Sequence, residues 1–175
     1  MIAVLLFAIG YQAHLALNSP PTFLRLASPD RLPHLLAVFW IGFNLAVLPA
    51  TIVARRRGGM ITMVAGGALG VLGLFAWSQT AILAPLVAAQ FAIGAAWALI
   101  LTGAFTLATE AGRGGREGLL TGIIFSILAG AAFARLLIAV TGTAGMLPLA
   151  FVPLVAWAAA AALIAPMALR PRPER

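Results

Sequence analysis

The stretch AILAPLVAAQFAIGAAWALILTGAFTLAT, residues 81–109, runs without a single charged side chain. A helix of about 20 such residues crosses the hydrocarbon core of a bilayer, because each residue adds about 1.5 Å. A strand of a membrane β-barrel would instead alternate polar and apolar residues over about ten positions. This stretch therefore predicts a transmembrane α-helix that is long enough to tilt or to project beyond the membrane.

Apolar runs of similar character lie on both sides of this stretch. The six predicted spans are residues 2–17, 32–54, 60–77, 81–109, 118–140 and 146–169, followed by a tail at 170–175. Hydrophobic residues make up 63% of the chain and charged residues 9%, whereas about a quarter of an ordinary soluble domain is charged. We therefore predict an all-α integral membrane protein: one membrane domain, residues 1–175, built as a six-transmembrane-helix bundle.

The basic residues are all arginines, and their placement predicts the orientation. One side of the six-span topology carries Arg55, Arg56, Arg57, Arg113, Arg116, Arg170, Arg172 and Arg175, whereas the other carries Arg25 and Arg31. By the positive-inside rule, the richer side is cytoplasmic, which puts both termini in the cytoplasm and the chain in the inner (plasma) membrane. Topology thus accounts for the net charge of +7, so we expect the lipid bilayer as a partner and no nucleic acid.

The sequence shows no arrangement suited to catalysis. There is no cysteine, which excludes disulfides, thiolate metal sites and thiol nucleophiles. The two histidines, His14 and His34, lie in different settings without a paired carboxylate, and no phosphate-binding loop is present. We therefore predict no enzyme activity, no metal and no cofactor.

Small residues recur within the spans. Gly66 and Gly70 have GxxxG spacing in the third span, and Gly94 and Gly130 begin small-residue clusters in the fourth and fifth. Small residues allow close approach of helix backbones in lipid. Generic bundle packing is favoured here over a dedicated dimer interface or a hinge.

Three stretches carry a family resemblance. These are GYQAHLALNSPP at residues 10–21, TIVARRRGG at residues 51–59, and residues 90–122 with their Arg-Gly loop. Together they resemble the seventh helix, a repeated cytoplasmic loop motif, and the tenth to eleventh helices of the major facilitator superfamily of transporters. The chain is therefore similar to the C-terminal six-helix half of such a transporter, over nearly its whole length.

The loop motif matches only in part. The superfamily pattern is Gly-x-x-x-Asp-Arg-x-Gly-Arg-Arg, and alignment on Gly58 places Thr51 at the first glycine and Arg55 at the acidic position. Arg56 matches the basic position, and Arg57 occupies the variable one. The acidic residue that latches neighbouring helices in the superfamily is thus missing, so that role is not transferred to this chain.

The resemblance implies half of a secondary transporter for a small solute. A complete transporter has two such halves around a central cavity, so transport would require a second six-helix half or an oligomeric partner, that is, another membrane protein chain. The alternative is a scaffold or accessory subunit of a larger membrane protein complex.

Polar residues within the spans are the candidates for a substrate cavity, because they are costly in lipid. They are Tyr11, Gln12, His14, Asn18, Asn44 and Arg135, with Gln90, Thr102, Thr106 and Ser126 as weaker candidates. Arg135 can also snorkel, and His14 can also form a plain interhelical hydrogen bond. A transporter half predicts that the main candidates gather around one cavity, whereas a scaffold predicts scattered interhelical bonds and a large apolar face.

Overall fold

The computed structural model describes residues 1–141 and 149–168, and within these it is helical with no strand. The α-helices are α1 (Ile2–Ala13), α2 (Ser19–Leu26), α3 (Leu32–Arg57), α4 (Gly59–Ser78), α5 (Leu83–Ala111), α6 (Glu117–Thr141) and α7 (Val152–Ala168). A π-helical segment, His14–Asn18, joins α1 to α2, and 3-10 turns occupy Pro29–Arg31 and Leu149–Phe151.

Five helical segments are long and apolar enough to cross a membrane. They are Ile2–Leu26, Pro29–Arg57, Gly59–Ser78, Leu83–Ala111 and Glu117–Val140. Helix α7 is apolar but shorter, at 17 residues. The predicted sixth span, 146–169, begins and ends outside the described residues, and the tail at 170–175 lies wholly outside them. The architecture is that of a multi-pass helical membrane protein, and the count of six spans stays a prediction.

The first helix continues past residue 17, where the sequence predicts its end. Ser19 donates its backbone N–H to the carbonyl of His14, five residues back, and it begins α2, where Pro20 and Pro21 follow it. A proline lacks the N–H that a helix interior requires, but it is tolerated in the first turn. The π-helical segment restarts the hydrogen-bonding pattern at Ser19, so the two prolines fall in a first turn and the helix extends to Leu26.

A single glycine makes the tight connection between α3 and α4. Gly58 has φ 86° and ψ 161°, a conformation that side-chain-bearing residues rarely adopt. Its N–H bonds to the Ala54 carbonyl at 2.8 Å, and its own carbonyl accepts the Thr62 hydroxyl at 2.9 Å. Gly58 of the motif-like loop therefore has a conformational role in the turn.

The seven helices fall into two units that exchange partners. The first unit is α1–α2, α3 and α4; the second is α5, α6 and α7. Helix α5 packs mainly on α3 and α4 of the first unit, and α1 packs mainly on α6 and α7 of the second. Helices α4 and α7 then pack on each other. The leading helix of each unit thus lies against the second and third helices of the other.

Glycines set the closest helix approaches. A Cβ atom at Gly94 of α5 would overlap the carbonyl oxygen of Phe39 on α3, and one at Gly42 of α3 would overlap that of Phe91 on α5. A second pair, Gly59 of α4 and Gly103 of α5, would place each added Cβ 2.6 Å from the other's carbonyl oxygen. These backbone contacts fix α5 between its two neighbours.

Aromatic side chains fill the centre of the bundle. Trp157 of α7 is fully buried, stacks on Trp97 of α5, and donates its indole N–H to the carbonyl of Phe7 at 2.9 Å. Gly70 of α4 faces the Trp157 ring, and Gly67 faces Phe7, whereas Gly66 faces α5. The glycines of α4 therefore serve packing against three different neighbours within the chain, as the sequence favours.

Helices α3 and α6 stand apart because they are largely uncovered. Only 17% of the most apolar stretch of α3 and 11% of that of α6 is buried, whereas the buried share is 44% to 56% for the other three long segments. On α6, Gly118, Gly122 and Gly130 have no atom of the described chain within 4 Å of an added Cβ. The sequence places Gly130 in a close-packed cluster, but no other described element covers it.

Candidate functional site

The most distinctive polar feature is a buried cluster between the first helical segment and α5. The Nε2 atom of His14 lies 2.9 Å from Oε1 of Gln90, and Nε2 of Gln90 donates to the hydroxyl oxygen of Ser19 at 2.9 Å. His14 is 1% exposed, while Gln90 and Ser19 are fully buried. Through the Gln90 amide, α5 is therefore hydrogen-bonded to two residues of the first helical segment.

The hydrogen bonds define the protonation of the His14 ring. Because Gln90 accepts through its amide oxygen, Nε2 of a neutral His14 carries the proton. The other ring nitrogen, Nδ1, is then an acceptor, and it is buried without a hydrogen-bond partner among the residues that the structure describes. A buried acceptor without a partner is unusual in proteins, and it leaves His14 able to accept one more hydrogen bond.

The local backbone explains how three residues of one segment reach this site. The π-helical segment begins at His14 and ends at Asn18, and α2 begins at Ser19 directly after it. A single π-helical turn rotates the residues that follow it, and such turns are frequent at functional sites. The edge of Trp77 on α4 covers the His14 ring, with ring centres 4.9 Å apart.

Two further candidates lie beside the cluster. The Asn18 side chain donates to the carbonyl of Ala150 at 3.1 Å, which links the π-helical segment to the turn before α7. Tyr11 is 7% exposed and stacks against Trp97 at 4.5 Å and Phe39 at 5.3 Å. Both side chains are therefore buried within the bundle.

Gln12 is partly buried, and its Oε1 atom is inaccessible and has no hydrogen-bond partner among the described residues. It lies two positions before His14, which is about 200° around an α-helix. Gln12 therefore lies on a different face of α1, apart from the cluster.

Asn44 and Arg135 lie on the uncovered helices. Asn44 is exposed on α3, where its side chain donates to the carbonyl of Trp40 one turn earlier at 2.7 Å. Arg135 is exposed on α6. The six main candidates are thus divided: Tyr11, His14 and Asn18 are buried in the bundle, Gln12 lies on another face of α1, and Asn44 and Arg135 lie on the uncovered helices.

The most important partners in the cluster were not prominent in the sequence. Gln90 has the only amide side chain within residues 81–109, which marked it as a weaker candidate. Ser19 was interpreted as part of a helix end, because Pro20 and Pro21 follow it. Only the continued helix brings the Ser19 hydroxyl against α5.

The remaining sequence candidates have structural or exposed positions. The arginines of the motif-like loop, Arg55, Arg56 and Arg57, are exposed at the end of α3. Trp77, Trp97 and Trp157 are buried in the packing of the bundle, whereas Trp40 is 47% exposed. Thr106 and Ser126 bond to carbonyls of their own helices. Among the described residues, no group of three His, Cys, Asp or Glu side chains is placed to hold a metal ion.

We expect Gln90→Leu to lower the unfolding free energy by about 2 kcal/mol, because it leaves His14 and Ser19 without their interhelical partner. Equilibrium unfolding in mixed micelles measures this change. Gln79→Leu is the matched control, since Gln79 is exposed and bonds only to its neighbour Ser78; its effect should stay within about 0.5 kcal/mol. Equal effects of the two variants would contradict a stabilising role for the cluster.

Comparison with protein-family models, with curated proteins and with solved structures finds no match for this chain.

Proposed function

We propose that this chain is one half of a secondary transporter for a small solute, and that a second six-helix half covers the open faces of α3 and α6. The observation that carries the proposal is the pair of uncovered apolar helices on an otherwise well-packed bundle. The two helices occupy equivalent positions, since each is the second helix of its three-helix unit.

The exchanged packing of the two units supports the transporter architecture. Each unit has three spans in the proposed topology, so the second unit enters the membrane from the opposite side. Two such units, each packing its leading helix on the other's second and third helices, form an inverted repeat. Inverted repeats of three helices are the building plan of each half of facilitator-type transporters.

Two polar side chains on the uncovered helices would lie between this chain and a second half. Asn44 on α3 and Arg135 on α6 are both exposed. An arginine within a membrane span is costly unless it faces water, a counter-ion or a polar substrate. A central cavity between two halves supplies these surroundings for Arg135 and Asn44.

The expected consequence is water access at the middle of α6. Because the chain has no cysteine, a single introduced cysteine reports its own surroundings. In native membranes, Ser126→Cys should react with a membrane-impermeant maleimide, since only an aqueous cavity permits the reactive thiolate. Ala159→Cys on the exposed face of α7 is the matched control and should stay unlabelled in lipid. An unreactive Ser126→Cys protein would count against a transport cavity.

Function itself requires the assembled protein. The complex purified from native membranes should move solute into liposomes, and the chain alone should move none. Transport is disproved if the chain copurifies with an assembled complex that moves no solute from a fractionated metabolite mixture.

A scaffold or accessory subunit is the second candidate, because the large uncovered apolar faces of α3 and α6 and the division of the polar candidates are also what it predicts. His14 and Asn18 are both used in contacts between helical elements, as a purely structural role requires. For a scaffold, α3 and α6 would be covered tightly by partner helices. The Ser126→Cys protein would then resist the maleimide while crosslinking to a partner chain.

A further inference from the structure

An apolar cavity of about 580 Å³ opens at one end of the bundle, where α5 ends and α4 and α6 begin. Five helices contribute to its wall, represented by Val4, Met63, Leu107, Ile124 and Ile164. The volume is in the range of cavities that enclose organic ligands, about 300–1,000 Å³. The cavity is distinct from the polar cluster around His14, since none of that cluster's residues lines it.

The lining selects an apolar occupant. Its named residues are alanine, valine, leucine, isoleucine and methionine throughout. Water is held in a buried site by two to four polar partners, which this wall does not offer through its side chains. The flexible thioethers of Met60 and Met63 adapt to irregular hydrocarbon shapes. The cavity therefore suits a hydrocarbon chain.

Basic residues near the mouth of the cavity favour a negatively charged group at the other end of the occupant. Ala111 and Leu120 line the cavity, and the turn between them carries Arg113 and Arg116, both exposed. Arg113 comes two residues after Ala111, and Arg116 lies one helical turn before Leu120, whose N–H bonds to the Arg116 carbonyl at 3.1 Å. The connections at this end hold five arginines (55–57, 113 and 116) against two glutamates (110 and 117).

We propose that the cavity binds one acyl chain of an anionic membrane phospholipid, and that Arg113 and Arg116 hold its phosphate. The occupant must combine a hydrocarbon chain with a negative charge at the membrane surface, and an anionic bilayer lipid supplies both. Guanidinium groups bind phosphate through paired, charge-assisted hydrogen bonds. The arginine-rich end is also the predicted cytoplasmic end, where anionic lipid attracts basic segments.

Lipid binding to the delipidated full chain tests this site. Native mass spectrometry measures bound dioleoyl phosphatidylglycerol and bound dioleoyl phosphatidylcholine, which share acyl chains and differ in charge. We expect phosphatidylglycerol to bind at least about tenfold more tightly, since each basic side chain near the surface contributes roughly fivefold. Glycerol phosphate, which has no chain, should not displace it. Equal affinity for the two lipids, or displacement by glycerol phosphate, overturns the proposal.

Variants separate the two parts of the site. Arg113→Gln with Arg116→Gln should lower the preference for phosphatidylglycerol by at least about tenfold and weaken phosphatidylcholine less, because choline balances the charge of its phosphate. Ala111→Trp, at an exposed position of the lining, should weaken both lipids by at least about tenfold because the indole fills the cavity. Ala159→Trp, at an exposed position of α7 that does not line the cavity, is the matched control. Unchanged binding by Ala111→Trp contradicts the site.

A photo-crosslinking arm does not depend on the folding of a variant. Phosphatidylglycerol with a diazirine in its acyl chain should label peptides that contain Met60 or Met63 of the wild-type chain. Labelling confined to outward residues such as Leu72 or Val155, which are 65% and 63% exposed, shows ordinary annular lipid instead and overturns the proposal.

Discussion

Gly94→Leu is expected to prevent the bundle from folding, with a loss of at least about 4 kcal/mol in unfolding free energy. A Cβ atom at this position would overlap the backbone carbonyl of Phe39 on α3. A backbone group cannot move aside by changing rotamer, so α3 and α5 would have to separate. Their separation would also break the reciprocal contact of Gly42 with Phe91.

Equilibrium unfolding in mixed micelles, together with the yield of monodisperse protein, measures this effect. Gly130→Leu is the matched control: it is the same substitution in another apolar helix, at a glycine with nothing within 4 Å. The isolated Gly130→Leu chain should fold within about 1 kcal/mol of the wild type, since the two residues differ mainly in helix propensity, which favours leucine. Similar stabilities for the two variants would show that α3 and α5 do not approach as closely as the structure places them.

The double variant Gly122→Leu with Gly130→Leu is expected to fold and yet lose its partner. Both glycines lie on the uncovered part of α6. Small residues leave room for the second half to meet α6 around the aqueous space at Ser126, which lies one turn from each glycine. Two leucine side chains would hold a partner helix away, and we expect at least about a tenfold lower recovery of the assembled complex.

Copurification from native membranes with a tagged chain measures this assembly. Ala159→Leu with Ala162→Leu, two exposed positions on α7, is the matched control and should leave recovery unchanged. Stability in micelles should be close to wild type for both double variants, which separates assembly from folding. Undiminished recovery of a complex by the α6 variant would contradict the proposed interface.

The polar candidates show what helical spacing omits. Tyr11, His14 and Asn18 share one face of a regular α-helix, and all three are buried. The partner of His14 is Gln90, 76 residues further along the chain, and no local pattern links the two. The π-helical segment was equally hidden, because Pro20 and Pro21 are typical of a helix end in sequence and fall in a first turn here.

Glycine illustrates the same limit. Gly94 and Gly130 each begin a Gly-Ala-Ala triplet in an apolar helix, so the sequence treats them alike. The structure places Gly94 against the backbone of α3 and leaves Gly130 in open space. Which glycine is a contact depends on how neighbouring helices are arranged, and that arrangement is a property of the whole bundle.

The sequence by itself determined that most of the chain is surrounded by lipid and that its secondary structure is α-helical. Long apolar runs with few charges must be helical in lipid, because a helix satisfies its own backbone hydrogen bonds where water is absent. Only the tertiary structure decided which faces of those helices meet, which leaves α3 and α6 open and joins His14, Gln90 and Ser19. The physical reason is that almost any apolar helix face is stable against lipid. Which helices pack together therefore depends on side-chain shape and on hydrogen bonds between residues far apart in the chain.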